Sequence, residues 1–92
     1  MAKNPMKEGQ RLTKELKALD KELAEGNPVD LSRINSILSQ LANVGELGKN
    51  MNLKGVSNEF HRRMQALIKK VDDDIHNEEF FIIEGGAVRR RM

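Results

Sequence analysis

The sequence predicts an all-α protein, a small bundle of three main helices with coiled-coil-like packing and, as an alternative, a short fourth helix near its end. Three observations predict it. Tryptophan and tyrosine are absent and only three phenylalanines occur, so a core must be assembled from Leu, Ile, Val and Met. Such side chains suit helices packed on helices, whereas a sheet favours aromatic and β-branched residues. Apolar residues also recur at intervals of three and four in stretches near 6–25, 30–47 and 57–75. Cap and breaker residues, finally, bound those stretches.

The first helix opens at Asn4, a cap residue followed by Pro5 at the first helical position, where the missing N–H costs nothing. Leu12, Leu16, Leu19 and Leu23 then form a narrow heptad seam in an otherwise charged surface. Gly26, Asn27 and Pro28 end it with a left-handed cap residue and a proline stop. Asp30 is the expected cap of the second helix, with Val29 stapled onto Ile34. Leu31, Ile34, Ile37, Leu38, Leu41, Val44 and Leu47 give this helix the widest apolar face, and short neutral side chains flank it, as suits the central helix of a bundle.

The stretch "GKNMNLKGVS" (48–57) reads as a connection carrying Met51 and Leu53 inward, and Ser57 as the cap of the third helix. Phe60, Met64, Leu67, Ile68, Val71 and Ile75 form that helix's apolar face. Asp72, Asp73 and Asp74 oppose the helix dipole at this end. Two paths are therefore open, a stop near Val71 with a short fourth helix after it, or a longer helix that runs on through the acids. Gly85 and Gly86 end the ordered part, so the expectation is one helical domain over 1–84 and a flexible basic tail over 85–92.

Composition narrows the function classes. A chain of 92 residues is one domain, and chains of this size bury only about 60–65% of their unfolded surface, so a partner or a second copy would help them. With no cysteine there is no disulfide framework, thiolate metal site or thiol nucleophile. No apolar run approaches the roughly 18–20 residues a membrane span needs, and no leader is evident, so the expected location is the cytoplasm and no membrane partner is expected. Net charge is only +2, but it is sorted: six acids and no lysine or arginine over 72–84, and Arg62, Arg63, Lys69 and Lys70 on the helix before them.

Catalytic signals are missing. Serines 32, 36, 39 and 57 have no histidine nearby in sequence, and Gly45, Gly48 and Gly55 lack phosphate-loop spacing. His76 sits among Asp72, Asp73 and Glu79, a spacing that can hold a divalent ion, but the chain lacks the matching pairs a bundle metal site requires. No enzyme, cofactor, metal or small-molecule substrate is therefore expected.

Two interaction patterns remain. The stretch "GVSNEFHRRM" (55–64) resembles the turn and recognition-helix start of a helix-turn-helix, which implies base or phosphate contacts by Asn58, His61 and Arg62. Arg63, Lys69, Lys70, Arg89, Arg90 and Arg91 would extend its electrostatic footprint. Upstream the pattern fails, because Met51 stands where a small residue is wanted. The second pattern is the run Phe80, Phe81, Ile82 and Ile83. It either folds back as a lid on its own bundle or anchors in a groove of another chain. The favoured expectation is a homo-oligomeric assembly component or partner-docking adaptor, with Leu12, Leu16, Leu19 and Leu23 as seam and Phe80 to Ile83 as anchor. The alternatives are a nucleic-acid-binding protein, or an inhibitor that masks another protein's surface.

Overall fold

A computed structural model describes residues 4–50 and 56–91, with the backbone alone for 49, 50 and 56–58. Among the described residues there are three helices, α1 (Pro5–Ala24), α2 (Leu31–Asn50) and α3 (Val56–Ile75), and three short strands, β1 (Val29–Asp30), β2 (Phe81–Glu84) and β3 (Ala87–Arg90). Each helix has 20 residues, hence about 30 Å of length.

Local chemistry sets the ends of α1. Asn4 Oδ1 accepts the N–H of Met6 at 3.0 Å and of Lys7 at 3.3 Å, and Pro5 fills the first turn. At the other end Gly26 N–H donates to the Leu23 carbonyl (3.0 Å) and Asn27 N–H to the Glu22 carbonyl (2.9 Å). This reciprocal pair satisfies orphan carbonyls of the last turn.

The central place of α2 follows from its wide apolar face. Along α1 it runs antiparallel: Arg33 pairs with Glu22 at 3.4 Å near one end, and Arg11 donates to Gln40 Oε1 at 3.3 Å farther along. Glu8 and then Glu15 hold the same Arg11 guanidinium at 2.9 Å each, and this bonding, Glu8's first, raises its pKa above the ordinary arginine value. Along α3 it is again antiparallel, because Gly48 and Gly45 meet Phe60, His61 and Met64 at the start of α3, while Ile34 lies among Val71 and Ile75 near its end. The molecule is elongated, 46 × 25 × 19 Å. Leu12, Ile34, Leu41 and Val88 are wholly enclosed.

The all-α expectation holds for the bulk of the chain and is corrected at one end, where a three-stranded antiparallel sheet of order β1-β3-β2 closes the bundle. Phe81 pairs with Arg90, Ile82 with Arg89, Ile83 with Val88 and Glu84 with Ala87, across a two-residue turn. Gly85 and Gly86 have φ of 59° and 76°, the positive values at both central positions that a type I′ hairpin turn needs. On its other side β3 meets β1, Val29 opposite Val88 and Asp30 opposite Ala87, and Leu31 N–H donates to the Gly86 carbonyl at 2.8 Å. Residues 87–90, expected as part of a flexible tail, are thus the middle strand, and Val88 is 0% exposed.

One of the two later cap expectations shifts. Asp30 ends β1 and also stands directly before Leu31, the position expected of the cap of α2, whereas α3 begins at Val56, so Ser57 lies inside its first turn. Of the two paths offered after Val71, the helix continues through Asp72–Asp74 to Ile75 and then turns into β2 with no fourth helix. The inward placement expected for Met51 and Leu53 lies outside the described residues.

Candidate docking groove and edge strand

Helices α1 and α3 run parallel, each laid on α2, and the space between them is filled unevenly. Near Gly9 the Phe60 ring closes it: a Cβ built on Gly9 would stand 3.2 Å from Phe60 Cζ and 3.5 Å from Met64 Sδ. Toward the sheet the gap opens into a groove of about 480 Å³. Core side chains Leu19, Leu23, Ile34 and Ile75 form its floor, half-buried Leu16, Leu67 and Val71 its sides, and Phe80 and Phe81 its end.

The two walls carry the same spacing. Thr13, Leu16, Lys17 and Asp20 come from α1, and Leu67, Lys70, Val71 and Asp74 from α3. Both sets are i, i+3, i+4, i+7, which places four side chains on one helical face. Since Gly9 is level with Phe60 and Met64, Lys17 comes level with Lys70 and Asp20 with Asp74. The exposed rim therefore has lysines on both sides toward mid-bundle and aspartates on both sides toward the sheet. Like charges across the mouth repel weakly at such exposed positions, which opposes closure of α1 onto α3. Thr13 Oγ1 donates to the Gly9 carbonyl at 2.7 Å. What the site offers is apolar burial with a fixed order of charge.

At the groove's end lies β2, an edge strand. Phe81 packs on the core, whereas Phe80 is 54% and Ile83 40% exposed. The run Phe80–Ile83 is thus partly a lid on its own bundle and partly an uncovered apolar surface.

The seam residues serve inside the chain. Leu12, Leu19 and Leu23 are buried against α2 and the sheet, and Leu16 alone of the four reaches the groove wall. Arg62, Lys69 and Lys70 are exposed on α3, and Arg63 is paired with Glu59 at 2.7 Å. His61 faces α2, its Nδ1 buried without a hydrogen-bond partner and 3.3 Å from where a Gly45 Cβ would be. Arg89 lies 3.9 Å from Glu84, Arg90 is exposed, and Arg91 is tied down, its Nε donating to the Glu78 carbonyl at 2.9 Å and its N–H to the Phe80 carbonyl at 2.7 Å. The side chain of Asn58 and residues 51–55 lie outside the described residues. Helices α2 and α3 lie antiparallel side by side, whereas the helices of a helix-turn-helix cross at about 90–120°.

His76 directly follows α3, its Nδ1 2.7 Å from the Asp72 carbonyl and 3.6 Å from Asp72 Oδ1. Among the described residues no group of three or more His, Cys, Asp or Glu gathers as metal ligands would, and no helix is long and apolar enough to cross a membrane. Sequence reasoning missed the groove. A second stripe beside the leucine seam, Leu16 with Lys17 and Asp20, was the signal for it, and it surfaces only once α3 is known to run parallel. No protein-family model, characterised protein or solved structure matches the chain.

Proposed function

We propose that this protein is a non-enzymatic docking module whose α1–α3 groove receives an amphipathic helix of a partner protein. The groove itself carries that reading: an apolar trough of about 480 Å³ between parallel helices, with two facing i, i+3, i+4, i+7 walls, is shaped for the apolar stripe of a fourth helix. The rim adds a direction. A fitting helix presents acids toward Lys17 and Lys70 and bases toward Asp20 and Asp74, because charge order at an interface selects register and orientation. A masking inhibitor would use the same groove.

The test uses two synthetic amphipathic helices with one leucine stripe and opposite charge order. Titrated into isotope-labelled protein, the matching peptide is expected to shift the resonances of Leu16, Leu67 and Val71, and the reversed peptide to bind several-fold more weakly. Val71→Asp should abolish binding while leaving the helical spectrum intact. Equal, unlocalised shifts with both peptides would sink the reading.

A second reading, nucleic-acid binding, is favoured by one observation: Arg62, Arg63, Lys69 and Lys70 are all exposed at i, i+1, i+7 and i+8 of α3. Under it, generic duplex binds at low salt and is lost steeply as salt rises, and Arg62→Ala with Arg63→Ala removes it. The groove reading expects no duplex binding at any salt.

A further inference from the structure

We infer that β2 is a self-association edge, pairing antiparallel with β2 of a second copy about a two-fold axis at Ile83. The free groups of the strand define the contact. In a two-residue hairpin the residues flanking the turn exchange both backbone bonds, and such pairs alternate along the ladder. Glu84 with Ala87 and Ile82 with Arg89 are therefore the bonded pairs, and the Arg91 N–H bond to the Phe80 carbonyl continues the alternation. The backbone groups of Phe81 and Ile83 consequently point away from β3. Phe81 N–H is already given to the Asn77 carbonyl at 3.0 Å. That leaves the Ile83 N–H, the Ile83 carbonyl and the Phe81 carbonyl facing outward.

This short set is self-complementary, which suits a second copy. With Ile83 opposite Ile83, each copy gives one N–H and accepts one, so both outward groups are satisfied reciprocally, as an isologous contact requires. Two residues on, the Gly85 N–H of each copy comes level with the Phe81 carbonyl of the other. Side chains agree with the register: Ile82 falls opposite Glu84 of the other copy, so no like charges meet, and Glu84 has Arg89 of its own hairpin 3.9 Å away. Lysine and proline are among the residues that blunt an edge strand, as short length and charge also do. Phe81–Glu84 has neither lysine nor proline, and its Ile83 is 40% exposed. The product is a six-stranded sheet, β1-β3-β2-β2-β3-β1, across two bundles. Helix docking in the groove is a separate event, so either can fail without the other.

The experiment is sedimentation equilibrium of the full chain over a wide concentration range. A monomer of 10.4 kDa in exchange with a dimer of twice that mass is expected. Ile83→Pro removes an outward N–H and no bond of the hairpin, which an edge strand tolerates. It should weaken association about thirtyfold through two lost bonds, with an unchanged helical spectrum. Amide exchange on the unmodified protein guards against a variant that fails to fold: Ile83 protection should rise with concentration while Ile82 protection stays constant. A wild type monomeric throughout, or an Ile83 amide indifferent to concentration, overturns the proposal.

Discussion

Phe60 shows how much a single side chain can decide. Its ring lies between α1 at Gly9 and α2 at Gly48, where a built Cβ would stand 3.2 Å and 2.6 Å away respectively. Held from two sides, it cannot swing clear of an added methyl. Gly48→Ala would gain about 1 kcal/mol of helix propensity but is expected to cost about 1–3 kcal/mol in overpacking. Chemical denaturation should therefore show net destabilisation. At Gly45 the nearest atoms, His61 Nδ1 and Met64 Cβ, are both 3.3 Å away, so Gly45→Ala should be close to neutral in the same assay. By propensity alone Gly45 and Gly48 would only weaken the end of α2. Their role is instead close approach, which depends on what lies across the interface and so is invisible in the chain itself.

At the scale of elements, helices were legible and strands were not. Each helix spans more than five turns, so its period repeats often enough to be read, and local bonds at Asn4 and Gly26 fix the ends of α1. The strands have two to four residues, too few for alternation to show against an apolar run. One signal was present: two short segments flanking Gly85-Gly86 have the form of a hairpin. Its backbone yields a prediction. Gly86, at φ 76° with nothing near its missing side chain, should cost about 1–2 kcal/mol when replaced by valine, because a left-handed β-branched residue is strained. Gly86→Asn should cost less, since asparagine tolerates that region. Melting temperatures of the two variants would separate backbone strain from crowding.

For the whole molecule, the closing sheet decides what the C-terminal segment is for. Val88 is wholly buried and β3 joins β1 to β2, so this segment is structural as well as exposed at its edge. A chain cut after Glu79 loses both hairpin strands and uncovers Val29 and the floor of the groove. It is expected to lose cooperative thermal unfolding, as followed by circular dichroism, rather than to persist as a folded monomer. A sharp transition near that of the full chain would show that the three helices suffice.

By itself the sequence determined the three helices, their apolar faces, the central place of α2 and the ends of α1, because these rest on local bonding and on periods repeated along one segment. Only the tertiary structure decided that the leucine seam is used internally, that residues after Gly86 form the middle strand, and that Leu16 and Val71 face each other across an open groove. Those outcomes depend on which distant surfaces meet. A stripe of leucines reads the same whether its partner is the next helix or another molecule, and only packing tells the two apart.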